Sequence, residues 1–120
     1  MVCAFCNETG YLDTELLYAR FDKFPVSPGH TLIIPFRHAE TWFDLTKAEQ
    51  SDVIYLIDKV KEYLDGEYSP DGYNIGMNCG EMAGQTVPHA HIHVIPRYTN
   101  DMDNPRGGIR GVIPDKQQYE

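Results

Sequence analysis

Three histidines alternate with apolar residues in HAHIHVI, residues 89–95. In an extended strand successive side chains point to opposite faces. His89, His91 and His93 would then line one side, while Ala90, Ile92 and Val94 pack on the other. Rings two residues apart on such a face stand about 7 Å from each other. A solvent-facing polar strand offers no packing reason to repeat imidazole three times, so the row points to chemistry. Neutral imidazole is the commonest metal ligand. An imidazole can also attack phosphorus while its neighbours donate hydrogen bonds to phosphate oxygens and leaving group. Periodicity alone leaves both readings open.

A second cluster of chemical residues is the C-x-x-C pair Cys3 and Cys6. Its spacing is that of a zinc knuckle, which needs two more ligands. A redox pair is the lesser rival, because such pairs usually open a helix after a strand. Cys79 has no partner in either scheme and reads as a small packed residue. An odd cysteine count, with no basic-then-apolar leader at residues 1–6, argues against a disulfide framework and for a cytoplasmic protein. Just before the histidines, Gly84-Gln85-Thr86-Val87 combines close backbone approach with hydrogen-bonding side chains. By itself it is also an ordinary turn, and Asp22 and Asn78 likewise suit turns as well as ligands.

These residues must be positioned by the rest of the chain. Its 120 residues fit one domain with a real core, and 42% hydrophobic with 23% charged residues is ordinary globular usage. Net charge is -8, which argues against nucleic-acid binding, where a basic face supplies most of the affinity. A small phosphate ligand remains compatible, since local backbone N–H groups can hold one. No apolar run approaches the roughly 20 residues that cross a bilayer, so no membrane partner is expected.

Residues 14–21 read as a strand and 25–29 as a turn with two prolines. TLIIP, residues 31–35, reads as a buried strand ending at its proline. A helix is expected over 46–64. Thr46 and Glu49 stand in capping-box spacing, and Val53, Ile54, Ile57, Val60, Tyr63 and Leu64 recur at helical intervals before a stop at Gly66. Residues 73–78 and 86–96 read as two strands of an antiparallel hairpin around the loop 79–85. From residue 98 onward the chain is rich in Pro, Gly and Asp. This tail suits a flexible arm, a partner-binding segment or a lid.

HAHIHVI, together with GQTV at 84–87 and PGHTLIIP at 28–35, resembles the histidine-triad (HIT) family. The stretch NPRGGIRGVIPDKQQY, from residue 104, is similar to bacterial members described as hydrolases of dinucleoside polyphosphates. Ala90 is smaller than the family's usual branched residue. The resemblance implies one α+β HIT domain over 1–120, with 98–120 as its C-terminal tail. It implies an antiparallel sheet of about five strands, one long helix and a short one, and a homodimer joining two sheets. It also implies that His91 is the nucleophile, that its tautomer is fixed by a backbone carbonyl, and that His93 binds phosphate. Gln85 and Thr86 would contact phosphate and leaving group, Gly84 and Val87 would join them in binding the substrate, Asp22 and Asn78 would hold the nucleoside, and His30 would lie nearby. His38 and His89 would join Cys3 and Cys6 around a structural zinc. The activity implied is hydrolysis of a dinucleoside polyphosphate through a nucleotidyl-histidine. Phosphoramidate hydrolysis, nucleotidyl transfer and nucleotide binding without turnover remain the alternatives.

Overall fold

The computed structural model describes residues 3–119. Five strands form one antiparallel sheet in the order β1-β2-β3-β5-β4. They are β1 (Leu12–Asp13), β2 (Leu17–Phe21), β3 (Thr31–Pro35), β4 (Gly72–Gly76) and β5 (Ile92–Arg97). One helix, α1 (Lys47–Tyr68), covers a face of the sheet. The short second helix expected is a 3-10 turn, Trp42–Asp44, capped by Thr41.

The strand expected over 14–21 is split into β1 and β2. Thr14 turns the chain: its hydroxyl accepts from the N–H groups of Leu16 and Leu17 at 3.1 and 3.0 Å. Such local side-chain bonds compete with the ladder. β3 is buried along its whole length, as its apolar run demands, because it lies between β2 and β5 with α1 above.

The capping box of α1 forms as expected. Thr46 Oγ1 accepts from Glu49 N–H at 3.0 Å, and the Glu49 carboxylate accepts from Thr46 N–H at 2.8 Å. The stop at Gly66 does not form. The helix runs on to Tyr68, and Ser69 takes the left-handed conformation (φ 51°) before Pro70, which has no N–H to continue the ladder. The buried face also differs in phase. Val53, Leu56, Val60 and Leu64 enter the core with Leu17, Ala19, Ile33, Ile92 and Val94, whereas Ile54 is 66% exposed. Leu56, absent from the expected set, supplies the missing i+3 step.

The hairpin of β4 and β5 is antiparallel, with Gly76 opposite His93, but residues 77–91 join the strands, more than a simple loop. The strand expected over 86–96 begins only at Ile92. Pro88 has no N–H for a ladder, and Ala90 N–H bonds to Ala39 O at 2.6 Å instead of to β3. Small Ala90 fits there, packed with Ala39, Leu45 and Trp42. On the face opposite α1, Phe5, Tyr18, Leu32 and Ile34 form a smaller cluster, of which Phe5 and Leu32 line a cavity.

Candidate functional site

Loss of strand geometry before Ile92 divides the three histidines between two sites. His89 is fully buried in a bend. Its Nε2–H donates to Pro35 O at 2.8 Å, which leaves Nδ1 as a lone pair. That nitrogen lies 3.2 Å from Cys3 Sγ, 3.6 Å from Cys6 Sγ and 3.1 Å from His38 Nδ1. His38 Nδ1 in turn lies 3.5 and 3.4 Å from the two sulfurs. A tetrahedral ion with Zn–S of about 2.3 Å and Zn–N of about 2.05 Å needs S···N edges of about 3.6 Å and an N···N edge of about 3.3 Å. The observed separations match this within a few tenths, so the four residues can hold a metal ion. The thiols behave as a pair. Burial raises the Cys3 pKa, but hydrogen bonds with Cys6, the Phe5 backbone and His89 outweigh it and bring it to about 6. The bond to Cys3 raises Cys6 in return.

His91 and His93 form the second site, with ring centroids 5.3 Å apart. Because the chain leaves the sheet at Ile92, the carbonyl of His89 has no strand partner and accepts from His91 Nδ1–H at 2.8 Å. That bond fixes the His91 tautomer with an unprotonated Nε2. Burial lowers the His91 pKa below its ordinary 6.5, although the His89 carbonyl and the charge of Asp22 pull upward. The ring is neutral at pH 7.

A chain of hydrogen bonds orients His93 in the same way. Val26 N–H donates to His30 Nδ1 at 3.1 Å, so the proton of His30 sits on Nε2. That proton faces His93 Nδ1 at 2.9 Å, with Asp22 Oδ2 at 3.4 Å beside it. His93 must then carry its own proton on Nε2, as a donor. Burial, followed by the neighbouring His91 and His30, pushes His93 down to about 4. His30 is lowered by burial against the opposing charge of Asp22.

His91 and His93 border a cavity of about 400 Å³ with Asp22, Asn78, Thr86 and Val87. The other carboxylate oxygen of Asp22 accepts from Phe24 N–H at 2.9 Å. Gly84 turns the loop before Thr86 with φ 95°, a conformation side chains rarely adopt. Gln85 faces away from the histidine cavity and lines a neighbouring one. Its amide accepts from Gly80 N–H at 2.8 Å and donates to Glu40 O and Val87 O at 2.6 and 3.0 Å.

Sequence reasoning missed Ala4, Phe5, Arg20, Lys23, Phe24 and Leu32, which also line the cavity. The Phe5 ring lies 5.0 Å from His91. The Arg20 guanidinium stands 5.1 Å over Phe5 and bonds to Glu8 at 2.8 Å. Arg20 pairs with Leu32 and Leu32 with His93 across the sheet, so only the strand register could have found these two.

The fold and site together define an antiparallel α+β protein whose cavity holds neutral imidazoles of fixed tautomer, next to a Cys/His cluster. Comparison with known proteins makes the class specific. The HIT domain matches residues 7–100, and the chain belongs to the HIT family. It is 31% identical over 124 residues to an uncharacterised HIT-like protein of Saccharolobus solfataricus, a match covering 98% of this chain and 86% of that one. It is 41% identical over 88 residues to the asymmetrical bis(5'-nucleosyl)-tetraphosphatase of Schizosaccharomyces pombe (73% of this chain, 48% of the relative). Identity to the AP-4-A phosphorylase of Mycobacterium tuberculosis is 33% over 88 residues (72% and 45%). The matches thus span about half the length of these two named relatives. Among solved structures, a HIT family protein from Bacillus anthracis superposes with a TM-score of 0.73 at 36% identity, covering 84% of this chain and 68% of that one. A Zn-bound histidine triad family protein from Mycobacterium smegmatis gives 0.68 at 32% identity, covering 75% and 66%.

Proposed function

We propose that the protein hydrolyses a dinucleoside polyphosphate through a covalent nucleotidyl-histidine on His91. The observation that carries this reading is the 2.8 Å bond from His91 Nδ1 to the His89 carbonyl. It leaves a neutral ring with its Nε2 lone pair available on the wall of the cavity. That lone pair attacks the α-phosphorus. A P–N bond forms, the P–O bond to the rest of the polyphosphate breaks, and the leaving oxygen departs with its electron pair. Water then attacks the same phosphorus. The P–N bond breaks, its electrons return to Nε2, the released proton passes to solvent, and a nucleoside monophosphate leaves. Two modest displacements replace one difficult one.

His93 acts as a donor to the phosphate through its Nε2–H, held in that tautomer by His30. Asp22 accepts from the ribose hydroxyls, and Asn78 with Val87 borders the nucleoside. Gly84 and Thr86 bring loop donors toward the phosphate. Gln85 reaches a phosphate only by releasing Glu40 O or Val87 O, so holding the loop is its resting role. Cys3, Cys6, His38 and His89 hold a Zn²⁺ whose four protein ligands leave no open position, so the ion is structural and pins the N-terminal segment beside the histidine loop. Residues 1–120 form one domain. It pairs as a homodimer through β4, an edge strand of the sheet that exposes Ile75, with exposed Met77 just beyond its end.

The name of the mycobacterial relative favours a second reading, in which inorganic phosphate replaces water and the product is a nucleoside diphosphate. Incubation with diadenosine tetraphosphate, with and without phosphate, separates the two by product. His91→Ala is expected to lower either activity by at least about 10⁴-fold. Undiminished activity in that variant would remove His91 as nucleophile.

A further inference from the structure

The tail is not an extended arm. Residues 104–119 close into a loop containing two 3-10 turns, Gly108–Val112 and Pro114–Lys116. Asn104 Nδ2 donates to Gln118 Oε1 at 3.0 Å, and Gln118 Nε2 returns a bond to Asn104 O at 3.2 Å. Arg110 Nε donates to Lys116 O at 3.1 Å. Gly107, at φ 90°, is required by the closure, since a β-carbon there would fall 1.9 Å from Gln117 O. The guanidinium carbons of Arg110 and Arg106 stand 4.5 and 5.6 Å from the centroid of the same Tyr119 ring.

The loop lies on the side of the sheet that bears the catalytic cavity. A β-carbon on Gly76 would meet Ile109 Cδ1 at 3.7 Å, and Gly76 is the β4 partner of His93. Directly paired residues point to the same face, so Ile109 sits one strand, about 5 Å, across from the His93 row. Gly76 is what admits it.

Charge explains why such a loop would be built. A polyphosphate is strongly anionic, and the chain carries a net -8. Arg20, Arg37, Lys59, Lys61 and Arg97 are each engaged by a carboxylate. No described carboxylate lies within ion-pair distance of Lys23, Lys47, Arg106, Arg110 or Lys116, and three of these five fall in the loop. The histidines of the cavity are neutral, Arg20 on its wall is held by Glu8, and Lys23 is its one lining cation outside a described ion pair, a single charge against several phosphates. The loop also lies beyond residue 100, where the HIT domain match ends.

We propose that Arg106 and Arg110, stacked together on Tyr119, form a subsite for the phosphates beyond the scissile bond and so set the preference for longer polyphosphate chains. The proposal rests on the hydrolase reading above. Steady-state kinetics of the full chain on diadenosine tetraphosphate and on adenosine 5'-phosphoramidate, which lacks those phosphates, tests it. In the double variant Arg106→Gln/Arg110→Gln, the ratio of the two KM values is expected to shift by about tenfold or more against the tetraphosphate, the loss typical of a charge-assisted hydrogen bond. Kcat should change much less. The Arg106→Lys/Arg110→Lys variant is expected to recover part of the shift, since charge is kept but the planar fork is lost. An unchanged KM ratio overturns the proposal. If the unaltered protein turns over neither nucleotide, the hydrolase reading fails, and calorimetry with inorganic tripolyphosphate decides the subsite. Binding that the Gln variant loses supports it, whereas binding equal in both proteins, or absent from both, overturns it.

Discussion

If a metal ion joins Cys3 and Cys6 to His89 and His38, it cross-links positions as far as 86 residues apart. Treated as a loop closure, a link of that span is worth about 4.5 kcal/mol, mainly by restricting the unfolded chain. For a chain of this length that corresponds to a loss of about 15–20 °C in Tm when the link is removed. His38 is exposed and Cys6 half-buried, so a chelator reaches the ion without prior unfolding. The same exposure means that Cys6→Ser by itself costs little in packing. Four melts therefore isolate the ion: original and Cys6→Ser protein, each with and without chelator. The expected pattern is a large drop when chelator is added to the original protein, and a much smaller one in the variant. Activity should fall with metal content, because His89 supplies the carbonyl that fixes His91. Metal content near zero in protein never exposed to chelator would refute the reasoning. Equal chelator effects in the two proteins would do so as well.

Other perturbations test separate links of the argument. In protein kept metal-free, stability is expected to fall with acid. His30 and His93 are buried neutral, with folded pKa values below the unfolded 6.5, that of His93 about 4. The unfolded chain therefore binds more protons between those values, so their contribution is complete above pH 6.5 and is lost as pH falls toward 4. Urea midpoints at pH 7.5 and pH 5 check this, and an unchanged midpoint counts against it. Leu56→Ala should cost about 3 kcal/mol and Ile54→Ala less than about 0.5, which denaturant melts can verify. Similar losses would put the wrong face of α1 in the core. Gly84→Ala forces a side chain into a left-handed turn at about 1–2 kcal/mol, with Asn78 Nδ2 its nearest neighbour at 4.0 Å. A lower Tm with a raised KM is expected, and wild-type values for both would show that the loop tolerates the change.

Much of the architecture was legible because local chemistry and tertiary packing agree. TLIIP is buried from end to end where its apolar run requires it, and the Thr46–Glu49 box starts α1 as its spacing dictates. Errors fell where a local rule met a competing interaction. Gly66 resembles a helix stop, yet the hydrogen-bond ladder continues until Pro70 ends it. The apolar periodicity of α1 admitted two phases, and contact with the sheet selected Leu56 over Ile54. Alternation placed His89 on one face with His91 and His93, but Pro88 and the Ala90–Ala39 bond keep the chain out of the sheet until Ile92, so His89 does not share the face of His93.

By itself, the sequence determined the inventory: three alternating imidazoles, a pair of thiols, a glycine-bearing loop before them, and enough apolar periodicity to build a sheet with one helix. Tertiary structure decided which of these residues share a site. His30 meets His93 across 63 residues and His38 meets His89 across 51, because the strand order lays β3 beside β5. The folded chain also sets each relevant tautomer: Val26 N–H for His30, Pro35 O for His89, His89 O for His91, and the His30 ring for His93. Side-chain type is a property of sequence. Which ring nitrogen holds a lone pair depends on the neighbour it faces, and the fold supplies that neighbour.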